Sequence, residues 1–215
     1  MSMDPRVAAV MSGIKTPLKS EKGMLLFGEV VDISDGESGA GRPQTTVRIA
    51  PIVNDYPQQD LAMSLYVQRP MDDDDPATLG KIRAKGGAFL RTCDPEFPKA
   101  PRKVSKGVYE TQDGATISGP AVDRAFAADR LAVFSGLQRL ADDEDYLKSF
   151  VGKRLFFSPQ KAKINPPGSD FSGISQFIGF VTAEARDGDV VNTTDVVDQD
   201  TLHEAVAQAL AEMEE

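Results

Sequence analysis

A mainly β chain carrying one inserted α-helix is the fold class this sequence predicts, and three observations predict it. Apolar and polar residues alternate in strand-length runs over residues 24–69. Sustained helical periodicity is confined to residues 120–150 and a short terminal stretch. Two more strand-like runs follow the main helix, so the order is not the strict strand–helix alternation of a parallel sheet. A small closed or partly closed antiparallel barrel fits this order, with a β-sandwich as the alternative.

In chain order, Met24 to Ile33 reads as a strand with apolar residues on both faces, and therefore central. Ser34 to Pro43 is a glycine-containing loop. Gln44 to Ala50 alternates, with Thr45, Val47 and Ile49 on one face and Thr46 and Arg48 on the other; Pro51 is expected to end its pairing. Leu61 to Arg69 is a third strand, Met63, Leu65 and Val67 inward and Ser64, Tyr66 and Gln68 outward.

Asp72 to Asp75 is a charged, solubilising turn. Lys81 to Ala84 and Ala88 to Arg91 read as short strands around a tight Gly86-Gly87 hairpin. Asp94 to Lys106, with three prolines, is an extended loop, and Asp113-Gly114 marks a second hairpin. Pro120 opens the clearest helix, with Val122, Phe126, Val133, Leu137 and Leu140 on its apolar stripe and Asp123, Arg124 and Asp129 off it. A short helix spans Asp142 to Phe150, stopped by Gly152. Lys153 to Ser158 and Gln176 to Glu184 are the final strands, separated by a long loop. Residues 185–200 form a polar linker, and Thr201 to Met213 a small amphipathic helix. The organisation is a lead-in over 1–22, a β-rich body over 23–184 with its helix at 120–150, and an acidic linker and tail helix over 185–215.

With 215 residues, 40% of them hydrophobic, the chain can bury a core without covalent staples. One cysteine, Cys93, allows no internal disulfide framework and suits a reducing compartment. One cysteine and one histidine, His203, cannot build a thiolate–imidazole zinc site. No apolar run reaches the roughly 18–20 residues of a membrane span. Residues 1–18 lack a signal-like apolar core, so the cytoplasm is the expected location.

The net charge of −9 is unevenly placed. Glu184 to Glu215 holds ten acids and one base, which leaves 23 acids and 23 bases in the rest of the chain. Within that neutral body, Lys81 to Lys106 carries eight bases against two acids, and Lys153 to Lys163 four bases and no acid. Local potential, more than isoelectric point, decides whether a polyanion docks. The competing reading is an ordinary solvated surface.

Candidate catalytic chemistry is poorly supported. Gly36 to Gly41 opens like a phosphate-binding loop, but Arg42 and Pro43 stand where lysine and a hydroxyl are needed, and a strand follows in place of a helix. Neither acidic cluster has the spacing of a calcium loop. Cys93 and His203 are far apart in sequence, and no Gly-x-Ser-x-Gly elbow occurs. The sequence therefore predicts a non-enzyme with no cofactor and no metal.

Basic residues interleaved with aromatic ones are the stronger signal. Arg154 and Phe156 share one face of their strand, opposite Leu155 and Phe157, and Arg48 and Tyr66 also point away from apolar sets. Single-stranded nucleic acid needs this pairing, because bases stack on rings while cations neutralise phosphates. The predicted track is Arg48, Tyr66, Lys81, Arg83, Arg91, Arg154, Phe156, Lys161 and Lys163, with Phe89 and Phe97 as extensions. Phe27, Phe126, Phe134 and Phe180 are assigned to the core.

The layout resembles phage-type single-stranded-DNA-binding proteins, in which a body of the oligonucleotide-binding (OB) type carries an acidic C-terminal tail. The strands around Phe27, Val47 and Phe157, the basic runs, and Asp195 to Glu215 carry that likeness. It implies an OB-like barrel that binds single-stranded DNA in replication or recombination. The tail then competes with DNA for the basic groove or recruits replication or recombination proteins. Here the tail ends in Met213-Glu214-Glu215, without the family's terminal aromatic residue. A structural or inhibitory protein-interaction module is the alternative, and a nucleotide-binding protein the third reading; oligomeric state stays open. Removing residues 185–215 is expected to tighten oligonucleotide binding in a fluorescence-anisotropy titration, and unchanged or weaker binding would count against masking by the tail.

Overall fold

The computed structural model describes residues 24–160, 163–165 and 173–191, together with Ala207 and Ala211. The expected lead-in over 1–22, Lys161 and most of the tail helix lie outside the described residues. The fold is mainly β with antiparallel sheets and a few helices. The strands are β1 (Met24–Glu37), β2 (Pro43–Val53), β3 (Tyr56–Pro57), β4 (Met63–Gln68), β5 (Arg102–Ser105), β6 (Val108–Glu110), β7 (Thr116–Ser118), β8 (Arg154–Pro159), β9 (Lys163–Asn165), β10 (Gly173–Ser175), β11 (Ile178–Thr182) and β12 (Val190–Val191). The helices are α1 (Pro76–Cys93), α2 (Pro120–Asp142) and α3 (Glu144–Lys148).

The main sheet runs β11-β8-β1-β2-β3, with β4 also on β2 and β12 also on β1. β8 is antiparallel to both β1 and β11. Ser64 of β4 forms an isolated parallel bridge with Phe177, the residue just before β11. Among the described residues the sheet is thus not closed by continuous ladders, so the closed form of the expected closed or partly closed barrel is corrected, and the sandwich alternative fits. β9 and β10 form a hairpin within the expected long loop. β12 pairs in parallel with Met24 and Leu25, where a polar linker was expected.

The chain forms two compact units. The first comprises the described residues up to Val31, Arg48–Leu65, and those from Arg154 onward. Its core is the inward face of alternating strands: Leu26 and Val30, Ile49, Met63 and Leu65, Leu155 and Phe157, and Ile178 and Val181, all buried. Gly28 belongs to this face because a Cβ there would sit 2.6 Å from the Ala50 carbonyl oxygen. β2 continues through Pro51 to Val53 and turns at Asn54 and Asp55, both with positive φ. That pair of left-handed residues makes the tight reversal that returns the chain along β3.

The second unit comprises Asp32–Val47 and Tyr66–Lys153. β1 extends to Glu37 and β2 starts at Pro43, so the expected ten-residue loop contracts to a tight turn. Ser38 and Arg42 close that turn by a 2.8 Å backbone bond, with Gly41 at φ 73.

The largest correction falls at Lys81 to Arg91, expected as a hairpin and found inside the 18-residue helix α1. The Asp75 carboxylate accepts from the Thr78 amide at 2.8 Å, and Pro76 occupies the first turn, so the start is capped. Ile82, Gly86, Phe89, Leu90 and Cys93 form the buried face at helical spacing. Gly86 and Gly87 are the surface on which α2 packs: a Cβ on Gly86 would lie 2.8 Å from Leu137 Cδ1. Close helix approach offsets the helix cost of each glycine, about 1 kcal/mol. Asp94 to Lys106 ends in β5, which joins β6 and β7 in a three-stranded meander instead of remaining loop throughout. The Asp113-Gly114 hairpin forms as expected, with Gly114 at φ 83.

α2 begins at Pro120 as the sequence predicts, and Asp143 caps α3 by accepting from the Tyr146 amide at 2.9 Å. Phe89 stacks on Phe150 at 5.3 Å between ring centroids, joining α1 to the chain after α3. On α2, Gly136 is closely enclosed, a Cβ there falling 2.7 Å from Phe97 Cε2 and 2.8 Å from Leu90 Cδ1. Gly80 of α1 has open space around it. Gly136→Ala should therefore destabilise by about 1–3 kcal/mol through overpacking. Gly80→Ala should stabilise by about 0.5–1 kcal/mol through helix propensity. Urea midpoints that moved in the same direction for both would refute this account of the packing.

Candidate nucleic-acid interface

On the first unit, strand alternation places one set of side chains away from the core. Phe27 of β1 stands opposite Phe156 of β8, and Glu29 stands opposite Arg154. The two rings meet at 5.0 Å between centroids with their planes inclined at 47°. Arg154 Nε donates to Glu29 Oε2 at 3.0 Å. On β11, Thr182 opposes Phe156 and Phe180 opposes Ser158, so this face continues onto the neighbouring strand. Phe27 and Phe156 are half-buried, and Phe180 is 48% exposed. Arg48 of β2 lies between the buried Val47 and Ile49 and is itself half-buried. Since Ile49 and Phe157 both face Gly28, Arg48 projects to the same side as Phe27 and Phe156.

The aromatic assignments need correction in both directions. Phe27, Phe126 and Phe134 are half-buried and Phe180 is exposed, so none is fully in the core. Phe89 and Phe97, expected as possible extensions of the track, are buried and unavailable for stacking. The signal for Phe27 is its position two residues before Glu29, since a strand face that carries a carboxylate is seldom fully buried. Phe180 carries a weaker form of that signal, since Thr182, two residues on, is polar but uncharged.

In the second unit, two of the predicted binding cations are held by a buried carboxylate. Asp129 of α2 is 8% exposed, although its helical position lies off the apolar stripe of the sequence. Arg83 Nη1 donates to Asp129 Oδ2 at 2.9 Å, and Arg91 Nη2 donates to Asp129 Oδ1. Arg83 also lies over the Phe126 ring and Arg91 over the Phe97 ring, at 5.2 and 5.6 Å. Arg91 Nε donates to the Pro98 carbonyl at 2.7 Å. These guanidiniums tie α1 to α2 and to the segment after α1. Lys81 is exposed on α1, and Tyr66 is half-buried on β4, opposite in direction to Leu65 and Val67. Lys163 is placed by its backbone in β9, and Lys161 is outside the described residues.

The acidic and glycine-rich motifs also receive structural roles. Arg42, which replaces the phosphate-loop lysine, donates to both Asp74 oxygens, at 3.0 and 2.5 Å. The Arg42 guanidinium and the Met71 amide together hold the Asp74 carboxyl below its ordinary range. Asp74 and Asp75 are thus a salt-bridge partner and a helix cap, and only Asp72 and Asp73 of the cluster are simply solvated. Arg69 similarly donates to Asp35. Burial pushes the Cys93 thiol up to about 12, so at neutral pH it is a thiol and a poor nucleophile.

Among the described residues, no group of three or more His, Cys, Asp or Glu is placed to hold a metal ion. No helix among them is long and apolar enough to cross a membrane. Compared with known proteins, the chain matches no protein-family model and no curated relative.

The Asp129 cluster makes a clear stability prediction. Asp129→Asn keeps the shape but removes the charge that balances Arg83 and Arg91. Both guanidiniums retain some access to water, with 30% and 22% of their side-chain surface exposed, so the destabilisation should be about 1–3 kcal/mol, below that for a fully buried pair. It should appear as a lower urea midpoint with an unchanged slope. A midpoint equal to the parent's would show that Asp129 does not hold these helices together.

Proposed function

We propose that this chain binds single-stranded nucleic acid through the outward sheet face of its first unit, without catalysing a reaction on it. The observation that carries the reading is the Phe27–Phe156 pair, flanked by Arg154 and Arg48 and continued by the exposed ring of Phe180. Rings with free area offer stacking surface to any base, and adjacent guanidiniums neutralise phosphates, which is the combination needed for sequence-tolerant binding. Arg154 also has a carboxylate beside it, so strand binding exchanges one anion partner for another at moderate cost.

The strand path supports the same reading. β4-β2-β1-β8-β11, with Ser64 of β4 bridged in parallel to Phe177 just before β11, is compatible with a partly open OB arrangement. In that arrangement, the loop between the fourth and fifth strands commonly contacts oligonucleotides. Here that connection joins β8 to β11 and carries Lys161, Lys163 and the β9–β10 hairpin. The strand would be DNA exposed during replication or recombination, in the cytoplasm. The acidic 185–215 segment would act as a competitor for the basic surface or a recruiter of partner proteins.

Titrating the full chain with fluorescein-labelled oligo-dT tests this directly. Affinity should fall with salt, the logarithmic slope being about −0.7 per phosphate neutralised. Phe180→Ala should weaken binding by about 5- to 100-fold, as expected for removal of one base stack, and leave that slope unchanged. Salt-independent binding, or full affinity in Phe180→Ala, would defeat the stacking reading and favour a protein-docking role for the exposed rings.

A further inference from the structure

The second unit sorts the eight cations of Lys81 to Lys106 into groups with different roles. Arg83 and Arg91 are committed to Asp129. Lys85 is half-buried on α1, and Lys81 is exposed on the same helix. The other four gather on the meander: Lys99 precedes it, Arg102 and Lys103 lie on β5, and Lys106 sits in the turn to β6. All four are exposed.

The meander's order explains why these side chains face solvent. Its strands run β5-β6-β7, so β5 is an outer edge. Tyr109 of β6 packs edge-on against Phe126 of α2 at 5.2 Å, which anchors the central strand to the helix. Arg102 opposes Glu110 and is paired with it at 2.5 Å, while Lys103 opposes Tyr109. Adjacent strand residues point to opposite faces, so Arg102 and Lys103 flank the edge on its two sides. Gly107, at φ 73, makes the turn that presents Lys106 at the end of the same edge. Among the described residues, Lys99, Lys103 and Lys106 are in no ion pair.

The geometry points to the β5 edge of the second unit as a contact for the phosphate backbone of single-stranded nucleic acid. This inference rests on the reading proposed above. From Lys99 to Lys106 an extended chain covers at most about 23 Å, several nucleotides in length. The row offers charge without an aromatic platform, so it would contribute affinity and salt dependence without stacking. An added peptide strand is the less suitable occupant, because lysines along a sheet edge oppose strand addition.

The test compares the full chain with the triple variant Lys99→Gln, Lys103→Gln, Lys106→Gln in oligo-dT anisotropy between low and moderate salt. All three side chains are exposed, so the urea midpoint should stay at the parent's value. With three phosphates no longer neutralised, the logarithmic salt slope should become shallower by about 2, and low-salt affinity should fall more than tenfold. Phe180→Ala, measured in parallel, should lower affinity without altering the slope. If the parent binds and the triple variant keeps its slope, the edge contact is wrong while the stacking reading stands. If the variant instead self-associates in sedimentation with its slope unchanged, the lysines serve to protect the edge, and the contact is equally wrong. A parent that fails to bind oligo-dT at all removes the stacking reading and this contact together.

Discussion

A carboxylate removed from water stays charged only if cations reach it, and Asp129 draws two of them from the neighbouring helix. Arg83 and Arg91 lie about two turns apart on α1, so both can converge on one acceptor of α2. Their guanidiniums also cover Phe126 and Phe97, which extends the same tie to the aromatic residues around the helix pair. The glycines beneath are part of this arrangement. Gly86, Gly87 and Gly136 let the helices approach closely, and that approach brings the arginines within reach of Asp129. Much of the second unit depends on this electrostatic and steric agreement, including the helix that anchors the meander through Tyr109.

Commitment of these arginines also redistributes the unit's surface potential. A cation held by a buried carboxylate contributes little attraction to a distant polyanion, because the pair is close to neutral from outside. The outward field of the stretch therefore comes from its exposed lysines, Lys81 on α1 together with Lys99, Lys103 and Lys106 on and beside the outer strand β5. In the first unit, the relevant constraint is the alternation of an antiparallel sheet. Registering Phe27 against Phe156 and Glu29 against Arg154 puts rings and charges on one face and Leu26, Gly28, Leu155 and Phe157 on the other.

Elements with complete local signals are legible before folding. The alternation at Met63, Leu65 and Val67 leaves no other strand register, and Pro120 marks the start of α2. Asp113-Gly114 specifies its hairpin through local turn chemistry. At α1 the local signal misleads: adjacent glycines resemble a turn when their packing partner is unseen. The helix cap at Asp75 is present in the sequence, but as the last of four consecutive aspartates it resembles one more solvated acid.

The candidate interface divides along the same line. By itself, the sequence determined strand alternation, hence that Arg154 and Phe156 share a face opposite Leu155 and Phe157, because a side-chain period of two is a property of the backbone. It also determined where the charge resides along the chain. Only the tertiary structure decided which cations are neutralised and which rings are covered: that Arg83 and Arg91 meet a buried Asp129, that Phe89 and Phe97 are enclosed, and that Phe180 is open. Those outcomes depend on partners distant in sequence, and burial and ion pairing are properties of the assembled neighbours rather than of any one segment.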